Sequence, residues 1–277
     1  MGEASKIAWT DATFNTWWGC SRVSPGCENC YAETFSARVG HGKRLPTIWG
    51  VDGERKAMSD EYWKGPLKWN RAAEKAGVRK RVFCSSMADV FEILPERNTQ
   101  GRAAQDAARA RLWPLIAATP HLDWLLLTKR PENVAALAPW GHVWPTNVWL
   151  GVTAEDQRRA EERIPFLLSI PARVRFVSAE PLLESIDMSR LGLVKPANPE
   201  GVHWVIVGGE SGHGARAFNT GWARRVAHAC RREGTALFVK QLGSNPHDGT
   251  TRLVLRDSKG GDPIEWPEDL RVQEWPR

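Results

Sequence analysis

The feature that most constrains the fold is an alternation of short apolar segments with helical segments, which begins at Val82. The apolar segments predict strands at Val82–Ser86, Trp124–Thr128, Val148–Thr153, Val174–Ala179, Trp204–Gly208 and Ala236–Lys240. The segments between them predict helices at Arg102–Ala118, Pro131–Leu137, Ala154–Leu168 and Asn219–Glu233, and a shorter one at Leu182–Leu191. Strands that are apolar almost throughout and alternate with helices are typical of a parallel sheet covered on both faces.

An earlier strand is predicted within Ile7–Trp18, most clearly over Ala12–Trp17, and gives seven βα-like units in all. The fold class is therefore predicted as α/β, with a complete or partial parallel (β/α) barrel preferred to a doubly wound open sheet. The barrel is expected to span residues 1–246 and to contain an irregular excursion at 40–65. Residues 247–277 are expected to form an irregular C-terminal cap.

Composition indicates a folded protein of the cytoplasm. The chain has 277 residues, of which 42% are hydrophobic, so it can bury a substantial core. No apolar run approaches the roughly 20 residues of a membrane span, and the N-terminus lacks the apolar region of a secretory signal. Five cysteines in a chain of this length do not make a disulfide scaffold, and reducing conditions favour metal binding instead.

The formal net charge of +6 favours a nucleic acid or another polyanion as a partner. An ordinary solvated basic surface explains the same charge. The basic segment His41-Gly42-Lys43-Arg44 is open to the same two interpretations, a phosphate contact or a solvated loop. Fifteen tryptophans could include rings that stack on bases, but packing is the commoner use and none is assigned to a ligand.

A cluster of three cysteines points to metal chemistry. Cys20, Cys27 and Cys30 follow the first strand with the spacing C-x6-C-x2-C, in a loop whose Gly and Pro residues permit tight turns. Thiolates are soft anionic ligands that suit a soft metal or an iron–sulfur cluster. We expect this loop to hold a [4Fe–4S] cluster through three sulfurs and to leave one iron open. A helix is predicted to follow at Glu28–Val39.

Polar residues follow each predicted strand, and the carboxyl ends of parallel strands share the edge where ligands bind. These residues are Ser85, Ser86, Asp89, Lys129, Arg130, Glu155, Glu180, Gly208, Gly209, Glu210 and Lys240. Helix capping explains Glu155 equally well, but it explains Glu180 and the Lys129-Arg130 pair less well. Standard nucleotide-binding and hydrolase motifs are absent from the sequence. Cys84 and Cys230 are expected to be buried and inert, although Cys84 is also a candidate hydrogen-atom donor or fourth ligand.

The chain resembles two related groups of proteins. Three cysteines follow its first strand and precede the other units of a predicted βα barrel, and this arrangement resembles that of the radical S-adenosylmethionine (SAM) enzymes. A closer resemblance is to a phage-associated family of poorly defined function with a three-cysteine motif. The segments that carry it are Trp18-Gly19-Cys20, Ser24-Pro25-Gly26-Cys27, Cys30-Tyr31-Ala32, Thr128-Lys129-Arg130-Pro131, Glu180-Pro181-Leu182-Leu183, Trp204–Gly212 and Lys240-Gln241.

The radical SAM resemblance implies a barrel of that type and a cofactor role for the loop. Cys20, Cys27 and Cys30 would hold the cluster, and SAM would chelate the open iron and be cleaved reductively to a 5′-deoxyadenosyl radical. The spacing departs from the usual C-x3-C-x2-C, and the Gly-Gly-Glu segment comes late in the chain, so its usual role is not transferred. By position, Ser85, Ser86 and Asp89 are the predicted SAM contacts. Glu155, Gly208 and Gly209 are the further cofactor-side candidates.

The preferred function is thus an iron–sulfur, SAM-cleaving enzyme that acts on nucleic acid in repair or base modification, as spore photoproduct lyase does. Its substrate is expected near Lys129, Arg130, Glu180, Glu210 and Lys240, with Cys84 as a catalytic candidate. An electron donor is required, and a partner protein is left unidentified. The alternative is a zinc-bearing nucleic-acid-binding protein, with a closed site of the three cysteines plus His41 or Cys84. A barrel hydrolase or lyase with incidental cysteines is the third reading.

Overall fold

The structure is a computed structural model that describes residues 2–39, 47–188, 192 and 200–276. The chain divides into two compact units, Met1–Leu150 and Gly151–Arg277. Among the described residues, no helix combines the length and the apolar character that crossing a bilayer requires.

The first unit contains short strands, helices and the first strands of the main sheet. Its strands are β1 (Ala12–Phe14), β2 (Trp17–Trp18), β3 (Lys56–Ala57), β4 (Lys80–Cys84) and β5 (Leu122–Thr128), and β6 (Val148–Thr153) crosses into the second unit. Its helices are α1 (Tyr31–Arg38), α2 (Asp60–Trp63), α3 (Gly65–Lys75), α4 (Thr99–Ala117) and α5 (Val134–Leu137).

The second unit contains the remaining strands and two longer helices. Its strands are β7 (Val174–Ala179), β8 (Trp204–Gly208), β9 (Phe218–Asn219), β10 (Ala236–Gln241), β11 (Pro246–Asp248) and β12 (Thr251–Arg252). Its helices are α6 (Gln157–Ser169) and α7 (Thr220–Glu233).

The main sheet of the described chain has seven strands in the order β1-β4-β5-β6-β7-β8-β10. The β1–β4, β4–β5, β7–β8 and β8–β10 pairs are parallel. Each strand lies beside the sheet strand that precedes it in the chain, so the order never reverses as it does in a doubly wound sheet. This order confirms the predicted α/β class and agrees with a partial parallel barrel. A barrel of radical SAM type stays a prediction.

In the first unit, the register of the strands sorts side chains onto two faces of the sheet. The Phe14 ring contacts Tyr62 and Trp63 of α2 and Trp124 of β5, with centroid distances of 5.1, 5.1 and 5.6 Å. Phe14 therefore faces the helices. Because Cys84 pairs with Phe14 in register, it lies on the same face.

In the second unit, aromatic rings fill the space across three adjacent strands. Phe176, Trp204 and Phe238 belong to β7, β8 and β10, and successive centroids lie 5.7 and 6.2 Å apart. Helix α7 begins where the Asn219 side chain accepts a hydrogen bond from the Gly221 amide at 2.8 Å. It ends at Gly234, whose φ of +74° is the left-handed conformation that glycine adopts at little cost.

Most predicted elements of the alternating region agree with the structure, and β6, β7 and β8 coincide with the predicted segments. Helix α1 is a correction, because it begins at Tyr31 rather than at Glu28. The 3₁₀ turn Pro25–Cys27 and the extended backbone of Cys30 delay its start.

Three other segments also differ from the prediction. The excursion predicted at 40–65 contains β3 and α2 in its described part, and α3 was not predicted. The described residues of the predicted helix Leu182–Leu191 include no α-helical turn. The tail is mainly irregular but includes β11 and β12, which pair with each other, and β11 also pairs with β9.

Candidate metal-binding loop and strand-end charges

The three clustered cysteines lie on the loop between β2 and α1. Cys27 ends the 3₁₀ turn, Cys30 is the N-cap of α1, and all three cysteines are free and partly exposed as residues. The loop begins at Gly19, whose φ is +116° and whose missing Cβ would lie 2.2 Å from the Ile48 carbonyl oxygen. Glycine is therefore required where the chain enters the loop.

The cysteine loop fits a soft metal by the chemistry of its donors, although the ligands are not gathered. Among residues 2–39, 47–188 and 200–276, no three Cys, His, Asp or Glu side chains form a group that could hold a metal ion. His41, the predicted alternative ligand, lies outside the described residues. Three thiols within eleven residues remain a donor set for iron–sulfur or zinc chemistry. Binding either one requires these side chains to turn toward each other.

A fully buried carboxylate, Glu92, fixes the backbone beside Cys20. Its Oε1 accepts hydrogen bonds from the Ser21 amide at 2.8 Å and the Ser21 hydroxyl at 2.6 Å. Arg55 donates to both carboxylate oxygens, at 2.7 and 2.9 Å, and Gln105 donates to Oε2 at 2.8 Å. The Arg55 side chain is as buried as that of Glu92. A buried carboxylate requires this many donors, so the network holds the loop in place.

Arg130 links this network to the cysteine itself. Its guanidinium lies 3.7 Å from the Cys20 sulfur, 3.0 Å from Asp89 and 3.3 Å from Glu92, and it also donates to the Ser21 carbonyl at 2.7 Å. Burial works to lower the pKa of this guanidinium, but the charges of Asp89, Cys20 and Glu92 together raise it. Arg130 was predicted as a substrate contact, whereas the structure gives it buried partners beneath the loop.

The electrostatics at Cys20 combine two opposing effects. Burial raises the pKa of the Cys20 thiol to about 12, and the charge of Arg130 acts in the opposite direction. A second cation, Arg22, lies on the other part of the loop and pairs with Glu33 of α1 at 2.8 Å. The hydrogen bond and charge of Glu33 raise the pKa of Arg22, with smaller contributions from Cys30 and Cys27. The loop thus carries guanidinium groups near its sulfurs.

The residues predicted to contact SAM after β4 are buried and bonded within the protein. Asp89 accepts hydrogen bonds from the Thr128 hydroxyl at 2.8 Å and the Lys129 amide at 3.1 Å. Ser86 accepts at its backbone oxygen from the Tyr31 hydroxyl at 2.6 Å, which ties the start of α1 to this strand end. Ser85 is likewise buried, and the SAM-contact role of all three stays a prediction.

Cys84 is fully buried in β4, and its sulfur lies 3.4 Å from the Ser85 hydroxyl oxygen. Burial raises the pKa of this thiol to about 12. The thiol therefore keeps its proton at neutral pH, and its position on the helix-covered face accords with the inert interpretation. Cys230 is also buried, within α7, and its pKa rises to about 12 for the same main reason.

In the second unit, two of the predicted carboxylates are buried and have arginine partners, of which Arg163 is buried and Arg216 is partly exposed. The Glu155 carboxylate lies 2.8 Å from Arg163, and both side chains are almost wholly buried. Glu210 is held by Arg216, which donates its backbone amide at 2.9 Å and its guanidinium to the same carboxylate. These two pairs fix local backbone in the second unit.

Glu180 and Lys240 form a different kind of pair. The Lys240 ammonium donates to the Glu180 carboxylate, and the two side chains keep 20% and 18% of their area exposed, respectively. Glu180 follows β7, and Lys240 is the penultimate residue of β10. These two strands lie on either side of β8, whose last residue is Gly208. The neighbouring Gly209 accepts a hydrogen bond at its carbonyl from the Gln241 side chain at 2.8 Å. The structure therefore brings Glu180, Lys240, Gly208 and Gly209 together, as their strand-end positions predicted.

Sequence reasoning missed the residues that hold the cysteine loop. Glu92 lies only three residues beyond Asp89, in a segment already recognised as polar, so its position carried a weak signal. Arg55 lies in the excursion that had no clear period, and Gln105 lies on α4. Nothing in their local sequence indicates that they meet, because the Arg55–Glu92 contact spans 37 residues.

Comparison with known proteins identifies a family but no function. The family model that matches is described as a protein of unknown function (DUF5131), and it covers residues 4–262. No curated protein and no solved structure matches the chain. The placement with radical SAM enzymes and the phage-associated three-cysteine family is therefore wrong, since the matching model is one without assigned activity and no radical SAM family matches. Because the match covers most of its length, the chain belongs to the DUF5131 family of unknown function.

Proposed function

We propose that this protein is an iron–sulfur enzyme that cleaves SAM reductively. The observation that carries the proposal is the loop of Cys20, Cys27 and Cys30. This loop begins at Gly19, where glycine is required, and the buried Arg55–Glu92 pair helps to hold its backbone. Three thiolates leave one iron of a [4Fe–4S] cluster without a protein ligand. When bound, such a cluster supplies the electron that breaks a sulfur–carbon bond of SAM.

The residues around the loop support an anionic group there. A [4Fe–4S] cluster with three thiolates carries net negative charge, and cations nearby stabilise it. Arg130 lies 3.7 Å from the Cys20 sulfur, and Arg22 is electrostatically coupled to Cys27 and Cys30. Neither guanidinium can lose its charge at neutral pH. In this proposal, Arg130 orients Cys20 while Arg22 balances the charge of the other two sulfurs.

The rigid base of the loop gives the proposal a physical rationale. Glu92 fixes Ser21, the residue after Cys20, through both its amide and its hydroxyl. The Tyr31 hydroxyl fixes the residue after Cys30 to the end of β4. The residues that adjoin the outer cysteines are thus anchored, while each of the three cysteines remains a partly exposed residue. Such an arrangement permits metal to enter without unfolding the site.

The test is anaerobic reconstitution of the full chain with iron and sulfide. We expect about four irons per chain, a visible charge-transfer absorption, and 5′-deoxyadenosine on addition of SAM and a strong reductant. The Cys20→Ala, Cys27→Ala and Cys30→Ala variants should each lose most of the iron. Cys230→Ala is the matched control, because it removes a buried thiol of the second unit and should load normally.

Two results would reject the proposal. One is a chain that binds a single zinc after strictly anaerobic purification and takes up no iron, which would indicate a closed four-ligand site. The other is a triple cysteine variant that binds iron as well as the wild type does. A loaded chain that forms no 5′-deoxyadenosine would retain the cluster and reject the SAM chemistry.

A further inference from the structure

We infer that the Glu180–Lys240 pair of the second unit is a binding site for the hydrogen-bonding edge of a nucleobase in single-stranded nucleic acid. The inference starts from unused hydrogen-bonding capacity. Among the described residues, the two side chains have only each other as partners. A carboxylate has about four acceptor positions and an ammonium has three donors, so most of this capacity is open.

The backbone is shaped to bring these two side chains together. The strands β7 and β10 lie on either side of β8, about 10 Å apart by ordinary strand spacing. Register in β10 shifts between Val239 and Gln241, so Lys240 is the additional residue of a β-bulge. Bulges redirect side chains and occur preferentially beside functional sites.

The glycine at the end of β8 leaves room for the pair. A Cβ at Gly208 would lie 3.3 Å from the Glu180 Cγ and 3.4 Å from its Cδ. Any side chain here would crowd the carboxylate and cover the strand end between Glu180 and Lys240. The bulge, the glycine and the exposed fifth of each side chain together describe an accessible site at the carboxyl ends of three parallel strands.

Comparison with the other strand-end pairs of the second unit separates this site from a structural ion pair. Glu155 and Arg163 are almost wholly buried, and Glu210 accepts from both the backbone and the guanidinium of Arg216. Those pairs stabilise the local chain. The Glu180–Lys240 pair instead presents open acceptors beside open donors.

This pattern specifies the ligand chemistry. A ligand that satisfies both groups without separating them carries an N–H donor for the carboxylate and an adjacent acceptor for the ammonium. The Watson–Crick edge of an unstacked base, such as the N3–H of thymine beside its carbonyl oxygens, has this arrangement. The formal net charge of +6 favours a strand with phosphates over an uncharged ligand. Binding of such a base does not depend on the proposed function, but the statement that the base belongs to the substrate rests on it.

The experiment measures binding of fluorescein-labelled single strands of equal length to the full chain as purified, by fluorescence anisotropy. The three probes contain thymine, N3-methylthymine or abasic sites. The abasic strand reports the phosphate contribution alone. We expect the thymine strand to bind about tenfold more tightly than the N3-methylthymine strand, which lacks the donor.

Variants test whether the ratio of the two affinities, thymine strand over N3-methylthymine strand, depends on the Glu180–Lys240 pair. Glu180→Gln raises the net charge by one, so phosphate attraction alone predicts tighter binding of all three strands with an unchanged ratio. The site predicts a lower ratio, because glutamine keeps only one acceptor oxygen and Lys240 competes for it. Gly208→Ala changes no charge and should also lower the ratio, because its methyl group crowds the carboxylate. Glu162→Gln is the matched control, since it makes the same charge change at an exposed α6 residue paired with Arg158.

The ratio compares two probes on one sample, so partial unfolding of a variant does not change it. Equal binding of all three strands by the wild type would overturn the inference. A ratio that persists in both Glu180→Gln and Gly208→Ala would also overturn it. Because no cluster is required, a chain that shows the ratio but takes up no iron would reject the proposed function and keep this site.

Discussion

Replacement of Glu92 by glutamine tests whether the buried charges hold the cysteine loop. The carboxylate accepts six hydrogen bonds, four at Oε1 and two at Oε2. Glutamine has the same shape but only one acceptor oxygen. The amide nitrogen breaks the fewest hydrogen bonds when it takes the Oε2 position, where it faces the donors of Arg55 and Gln105.

The expected loss of folding free energy follows from the two hydrogen bonds lost at Oε2 and from the Arg55 charge, which is left without a carboxylate partner. Glu92 is the only carboxylate paired with Arg55 among the described residues, and the other partners of this guanidinium are backbone carbonyls. Removing one partner of a buried ion pair costs about 3–5 kcal/mol of folding free energy. Two lost hydrogen bonds to charged groups give a similar sum, about 3–6 kcal/mol.

Urea unfolding followed by tryptophan fluorescence measures this loss, provided that the slope with urea is unchanged. Hydrogen exchange adds a local readout, because peptides that contain the Ser21 amide should exchange faster in the variant. Asp52→Asn is the control, since its bridge to Arg97 is exposed on both sides and should contribute at most about 1 kcal/mol. A Glu92→Gln variant that is within about 1 kcal/mol of the wild type and keeps its exchange pattern would refute the argument.

Three further predictions concern single contacts. Gly19→Ala should destabilise the first unit by more than about 2 kcal/mol, because its methyl group would collide with the Ile48 oxygen in a backbone conformation that favours glycine, and a circular-dichroism melt checks this. Asp156→Ala should cost about 1 kcal/mol, since the Asp156 carboxylate caps α6 by accepting from the Arg159 amide at 2.7 Å, and Asp156→Asn should recover most of it in urea unfolding. Burial, with a smaller contribution from a nearby carboxylate, raises the pKa of Cys230 from 9.0 to about 12. The unfolded thiol then releases its proton at lower pH than the folded one, so stability falls as pH rises from about 9 to about 12. The urea midpoint of Cys230→Ala should fall less over that range, and equal falls would contradict the pKa shift.

The sheet could be predicted because the local sequence of its strands carries a recognisable apolar pattern. β6, β7 and β8 are apolar runs bounded by polar residues or turns, and a helix, α6, separates β6 from β7. The helix α3 was missed because it begins at Gly65, where the predicted irregular excursion ends, and no element was predicted between that excursion and the strand at Val82. Proline at the first turn is in fact well suited to begin a helix.

The support of the cysteine loop could not be predicted, because its contacts connect distant parts of the chain. Ser21 meets Glu92 across 71 residues, and Arg130 meets Ser21 across 109. A single sequence shows the charge of each side chain but not its partner. It therefore suggested Arg130 as a substrate contact, which stays a prediction, but it could not show that this guanidinium bonds to Asp89 and to the Ser21 carbonyl.

Charged residues at strand ends differ in what their hydrogen-bonding groups already contact, and this difference decides their use. Asp89 and Arg130 are buried and bonded to each other, so a ligand would have to break existing bonds to reach them. Glu180 and Lys240 keep open positions and partial exposure, so a ligand can add bonds without that cost. Net binding energy comes from bonds gained beyond those lost to water or protein. Both sets lie at the carboxyl ends of strands, so unused hydrogen-bonding capacity is what distinguishes the Glu180–Lys240 pair as the inferred ligand site.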